Sequence, residues 1–146
     1  MACALAPAFG PPHQALIAAR RRAADPLGAV EVARSAAVRF DASSDAWVAL
    51  GDAALGAYRT RDALVAFERA LVIEERPDAA LAAGKIYLRL GDAVTAGARF
   101  ARAYAAGAGP EALRENAQAL ATAGDAAAAA EAIALWERET GRPWDA

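Results

Sequence analysis

The sequence predicts an all-α fold built from repeated helix hairpins, and three observations carry that expectation. Alanine fills roughly a third of the 146 positions, and it is the strongest helix former among the amino acids. Aromatic residues make up 7% of the chain and β-branched residues are sparse, which disfavours a fold made of sheet. Small and apolar residues also recur at separations of 33 or 34 positions, the length of a helix–turn–helix unit.

The recurrence is best read in columns. Ala29, Ala63, Ala96 and Ala129 head one of them. Four residues later stand Ala33, Phe67, Phe100 and Ile133, and seven later Ala36, Ala70, Ala103 and Trp136. Twelve residues earlier stand Ile17, Gly51, Gly84 and Ala117. Sixteen earlier stand His13, Trp47, Ala80 and Leu113. One column of alanines means little in this composition, but several columns in one register, with glycines and aromatics at matching places, specify a repeat. The similar strings Leu50-Gly51-Asp52 and Leu90-Gly91-Asp92 do not share a register. Aligning them would set Thr60 opposite Phe100 and break the agreement of Phe67 with Phe100.

Eight helices follow, near 12–24, 26–40, 44–58, 61–75, 78–90, 93–107, 110–123 and 126–140. The first ends in Arg20, Arg21 and Arg22, whose positive charge suits a helix C-terminus. The second opens at Asp25-Pro26, an N-cap with proline at the first helical position. Ser43, Ser44 and Asp45 are candidate caps for the third, which holds Trp47. The fourth carries Ala63, Phe67 and Ala70, and the fifth Ala80, Gly84 and Tyr87. Gly91-Asp92 and Gly124-Asp125 each place a stop before a cap and so open the sixth and eighth helices. Pro110 opens the seventh after Gly109, with Glu111 at its positive end. The alanine run 126–130 is a helix with a smooth face rather than a site. Small residues at Gly51, Gly84, Ala63 and Ala96 let the helices approach, and Trp47, Tyr87, Phe67 and Phe100 fill the gaps they leave. On this reading, truncating Trp47 to alanine costs about 3–5 kcal/mol.

The pattern resembles the tetratricopeptide repeat family, whose motif runs W-x2-L-G-x2-Y and then A-x3-F-x2-A. Trp47, Leu50, Gly51 and Ala54, followed by Ala63, Phe67 and Ala70, match it best. Ala80, Ala83, Gly84 and Tyr87, followed by Ala96, Phe100 and Ala103, come next. The flanking units are weaker, and the proline that usually ends a unit is shifted, with Pro77, Pro110 and Pro143 near the boundaries. The resemblance implies a right-handed solenoid of about four hairpins, units near 11–43, 44–76, 77–109 and 110–143, in one domain over 11–146 behind a flexible leader 1–10. It also implies a concave groove lined by the first helix of each hairpin.

Read by register, that groove offers Val48, Asp52 and Leu55 from the second unit and Leu81, Lys85, Leu88 and Arg89 from the third. The last unit adds Arg114 and Gln118. The expectation is an apolar strip flanked by charges of both signs that takes an amphipathic helix or extended peptide of a partner protein. The family's carboxylate clamp needs paired asparagines with lysine and arginine. The matching positions here hold Ala18, Asp52, Lys85 and Gln118, so only Lys85 fits and binding of chaperone tails is disfavoured.

Composition narrows the function classes. Sixteen basic residues stand against eighteen acidic ones, a net charge of −2, which argues against a dedicated nucleic-acid binder. One cysteine, Cys3, and one histidine, His13, offer no metal cluster, no disulfide framework and no nucleophile–base pair. The expectation is a protein without catalytic residues, cofactor or metal. Fifteen of the sixteen basic residues are arginine, which points to a GC-rich, bacterial genome. The uncharged stretch 1–19 is interrupted by Pro7, Gly10, Pro11 and Pro12 and is too short and broken to span a bilayer. A cytoplasmic adaptor or assembly factor is therefore expected. The alternative is a structural subunit of a larger complex, docked through Trp136 and Trp144 as an exposed aromatic patch or anchored by an acylated Cys3, with a lipid-anchored or periplasmic location. Trp136 and Trp144 could instead fold back as a cap on the last hairpin. Arg20, Arg21 and Arg22 form the one dense basic run, a further candidate contact. Glu74, Glu75 and Asp78 read as a solvated acidic turn. Monomer and homodimer both stay open.

Overall fold

A computed structural model of the chain describes residues 8–145. Cys3 and its acylation lie outside the described residues, as does most of the expected leader. Among the described residues there are eight helices and no strand. They are α1 (Pro11–Arg22), α2 (Pro26–Arg39), α3 (Ser44–Gly56), α4 (Thr60–Ile73), α5 (Pro77–Arg89), α6 (Ala93–Ala105), α7 (Pro110–Thr122) and α8 (Ala126–Thr140). The fold is an all-α helical repeat.

Packing divides the chain into two units, one ending at Glu74 and one beginning at Glu75. The division falls beside the expected limit between the second and third repeats. In the first unit α1 packs on α2 and α3, α2 on α3, and α3 on α4. In the second, α5, α6, α7 and α8 pack in sequence, each on the next.

Each unit is built around one close approach between a glycine and a phenylalanine. A methyl group placed on Gly51 would stand 2.6 Å from the ring of Phe67, and one on Gly84 would stand 2.6 Å from Phe100. Neither distance is tolerable for a real Cβ, so both positions require glycine. Phe67 and Phe100 are the largest fully buried side chains of the described residues. Trp47 plays a lesser part than its motif position implied. It is half-buried beside the Leu50 and Ala53 cluster, donates its indole N–H to the Asp41 carbonyl at 2.9 Å, and carries Arg69 over its face at 5.8 Å. Losing it should cost less than the fully buried value stated above.

Local hydrogen bonding ends and starts the helices where the residue types direct. Within every hairpin the two helices are joined by the same turn. A residue of left-handed backbone follows the first helix, at Ala24 (φ 56°), Tyr58 (φ 59°), Gly91 (φ 86°) and Gly124 (φ 86°). The next N–H reaches back across the helix end, Asp25 to Arg20, Arg59 to Ala54, Asp92 to Tyr87 and Asp125 to Leu120, at 2.8–2.9 Å. This is a Schellman closure. The residue after the left-handed position then caps the second helix. Asp25 accepts from the Gly28 N–H at 2.9 Å, Asp92 from Thr95 at 3.1 Å and Asp125 from Ala128 at 3.1 Å. The second hairpin departs from this rule, because Arg59 supplies no side-chain cap. Between α2 and α3, Ser43 is the cap of the three candidates, accepting from Ala46. The Ser44 hydroxyl is buried and donates to Glu74.

Candidate interaction surfaces

The first helices of the hairpins present the residues that the register assigned to a groove, and each unit is taken by itself. In the first unit Val48 is buried and Leu55 half-buried, while Asp52 is exposed. In the second, Leu81 and Leu88 are half-buried against a cluster of Ala96, Phe100 and Ala119. These leucines therefore serve the core as well as the surface, and the apolar strip is narrower than expected. Lys85 and Arg89 are exposed beside them. Lys85 Nζ lies 3.4 Å from Glu111 Oε1, which ties the open face of α5 to the start of α7. Gln118 is exposed on α7.

Arg114 leaves this set. Its guanidinium stands 5.4 Å from the ring centre of Trp136 and 5.0 Å from that of Trp144. It is also 3.7 Å from the Asp145 carboxylate. The two indoles meet edge to face at 5.2 Å, and the backbone N–H of Trp144 donates to Glu137 Oε2 at 3.3 Å. Trp136 is buried and Trp144 half-buried. The pair is thus a cap folded over α7 and α8, not the exposed aromatic patch that was the alternative. Two rings and a carboxylate around one cation satisfy Arg114 where it is.

The acidic group around residue 75 is exposed, as expected, and Glu75 and Asp78 are ion-paired as well. Arg102 meets Glu75 at 2.5 Å, and the hydrogen bond from that guanidinium holds the Glu75 carboxyl below the usual carboxylate range. Arg76 meets Asp78 at 2.8 Å, and that bond, supported by the Ala79 N–H, lowers the Asp78 carboxyl in the same direction. Asp92 is lowered by its bonds to Thr95. Tyr104 is raised, because its hydroxyl donates to Glu139 Oε1 at 2.8 Å.

Two features of the first unit were not legible in the residue pattern. Phe9, His13 and Phe40 form an aromatic cluster, His13 stacking 5.5 Å from Phe9 and edge-on 5.0 Å from Phe40. It borders an open cleft of about 370 Å³ between α1 and α2, lined mainly by apolar side chains such as Leu16 and Val32. The second is the edge where the α1–α2 and α3–α4 turns meet. There the Arg21 guanidinium approaches Gly56, and a cleft of about 390 Å³ opens among Arg21, Ala24, Pro26 and Gly56. Arg20 is paired with Asp25 at 3.3 Å.

Among the described residues no helix is long and apolar enough to cross a membrane. None of their His, Cys, Asp and Glu side chains gather in a group of three that would hold a metal ion.

Comparison with solved structures decides the architecture. MamA matches with a TM-score of 0.77 over 88% of this chain and 77% of that one, at 19% identity. YrrB, described as a TPR protein with an unusual peptide-binding site, matches with a TM-score of 0.75 over 89% and 68%, at 18% identity. The fold is that of the tetratricopeptide repeat proteins. The type III secretion chaperone SycD of Yersinia enterocolitica, solved with a peptide of the translocator YopD, shares it with a TM-score of 0.62, over 81% of this chain and 89% of that one, at 15% identity. At such identities the likeness concerns the fold alone. No family model and no curated protein matches the sequence.

Proposed function

We propose that this tetratricopeptide-fold protein acts by binding rather than catalysis, as an adaptor or assembly factor that receives a helix or extended peptide of a partner protein on the open faces of its first helices. One observation carries the reading. On α5, Leu81, Lys85, Leu88 and Arg89 fall at the spacing of a single helical face, and Lys85 is joined to Glu111 at the start of α7. That face combines half-buried leucines with exposed cations, the mixture that seats an amphipathic segment by its apolar side and orients it by charge. In the first unit Asp52 and Leu55 on α3 would make the corresponding contact. Peptide binding by two proteins of the same fold, YrrB and SycD, is consistent with this use of the architecture.

The test is capture of a partner from a lysate of the source organism by the wild-type chain and by two variants. Lys85→Glu/Arg89→Glu reverses the charge of the face without touching the core. Leu81→Glu/Leu88→Glu removes its apolar part, and circular dichroism shows whether helicity survives. A partner held by wild type and lost by the folded charge-reversal variant supports the reading. The same partner retained by that variant would sink it.

A further inference from the structure

The turn that joins α3 to α4 breaks the rule followed by its three counterparts. The left-handed position holds glycine in two hairpins and alanine in one, but Tyr58 in the second. A β-carbon is strained there, and a bulky aromatic is the least expected occupant. Tyr58 gains no packing in exchange, since it is 93% exposed. The next position holds a capping aspartate in the other three hairpins and Arg59 here, so α4 starts without a side-chain cap. Two stabilising choices used elsewhere in this chain are thus absent at adjacent positions. Strain and lost capping that serve no packing point to a surface kept for contact.

The surroundings indicate the chemistry of that contact. Arg21 lies against Gly56, so the two turns share one edge of the first unit. Residues 20–25 and 56–62 hold Arg20, Arg21, Arg22, Arg59 and Arg61 against only Asp25 and Asp62. Both aspartates are engaged, Asp25 with Arg20 and Asp62 with Arg59 at 3.7 Å and Arg34 at 4.0 Å. A chain of net charge −2 thus carries an excess of guanidinium in the two turns that share this edge, with Tyr58 exposed in one of them and a cleft of about 390 Å³ lined by Arg21, Ala24, Pro26 and Gly56 between them. Tyrosine and arginine are the residues that anchor protein interfaces. Arginine forks bind carboxylates in pairs, and charge complementarity selects an acidic ligand. One aromatic without others interleaved in the basic run does not make a base-stacking platform.

We propose that this edge, which carries Tyr58 and Arg59 on the α3–α4 turn and Arg21 and Arg22 at the end of α1, docks an acidic segment of a partner protein. It is separate from the α5 face and does not rest on that reading.

The test uses the full chain, panned against a displayed library of random peptides. The enriched peptides are then synthesised with a fluorophore and titrated by anisotropy. Three variants are compared: Tyr58→Gly/Arg59→Asp, which gives the turn the residues found in its counterparts; Arg21→Glu/Arg22→Glu; and the α5-face control Lys85→Glu/Arg89→Glu. The expected result is enrichment of Asp- and Glu-rich peptides whose affinity falls by about tenfold or more in both edge variants and is unchanged in the control. The Tyr58→Gly/Arg59→Asp variant should bind less while melting about 2–6 °C higher, so unfolding does not explain the loss. Peptides without acidic bias, or affinity kept by that variant, would overturn the proposal. A lowered Tm would mean that Tyr58 and Arg59 support the fold, with the same consequence. So would tighter binding of a single-stranded oligonucleotide, or of phosphatidylserine vesicles, to the same edge. Affinity lost only in the α5 control would assign peptide binding to that face and leave the edge refuted.

Discussion

The α3–α4 and α5–α6 hairpins have nearly the same interior and quite different turns. Each packs a phenylalanine ring onto a bare glycine backbone, Phe67 on Gly51 and Phe100 on Gly84, at the same 2.6 Å from a would-be Cβ. Each closes its first helix with the same back-reaching hydrogen bond. Yet one turn reads Tyr58-Arg59 and the other Gly91-Asp92. The glycine–phenylalanine contact tolerates no variation because the helices touch there and any added atom must displace another. The turn tolerates much, because its backbone hydrogen bond forms whatever the side chain is, at the expense of some local strain.

The interiors should therefore respond alike to truncation. Phe67→Ala and Phe100→Ala are each expected to destabilise by about 3–5 kcal/mol, measured by urea unfolding. A gap of more than about 1.5 kcal/mol between them, beyond the usual context spread, would show that the two hairpins are not equivalent inside. The turns should respond in opposite senses. Gly91→Tyr places a side chain at φ 86° and is expected to cost about 1–2 kcal/mol. Tyr58→Gly relieves the same strain and should raise Tm, by less than the former lowers it because glycine also loosens the unfolded chain. Equal shifts of the same sign in differential scanning fluorimetry would dismiss the strain argument.

The cap on the last hairpin comes next in size. Arg114→Ala leaves Trp136 and Trp144 without the cation between them and is expected to cost about 1 kcal/mol, with a red shift of tryptophan emission as Trp144 loosens. Unchanged emission would mean that the indole pair holds itself.

The smallest effect distinguishes the two units by pH. Glu75, Asp78 and Asp92 all belong to the second, and their carboxyls are depressed by hydrogen bonds from Arg102, Arg76 and Thr95 respectively. A carboxylate lowered on folding stabilises above its unfolded value and loses that contribution as pH falls through the folded one. Tm should thus decline modestly between neutral pH and the range below the ordinary carboxylate values of 4.5 for Glu75 and 3.8 for the two aspartates. Arg102→Ala should shallow that decline. An identical pH profile in this variant would show that the exposed Glu75 pair contributes nothing, a common outcome for surface ion pairs.

Much of this protein is legible in its sequence for a plain reason. Helix number, the caps at Asp25, Asp92 and Asp125, and the left-handed glycines at 91 and 124 depend on hydrogen bonds between residues three to five apart. The 33- or 34-residue register adds the pairing of Gly51 with Phe67 and Gly84 with Phe100, because repeated columns report repeated contacts. The surfaces are another matter. Register alone placed Arg114 in a groove, left Trp136 and Trp144 open between an exposed patch and a cap, and named no partner for Glu75. Tertiary packing set Arg114 between two indoles and a carboxylate 31 positions away, and joined Glu75 to Arg102. It also sank Val48 and half of Leu81 and Leu88 into the core. A local hydrogen bond has one geometry, which a few neighbouring residues specify. A long side chain at a surface takes whichever distant partner the packed helices bring within reach, and no spacing along the chain records that choice.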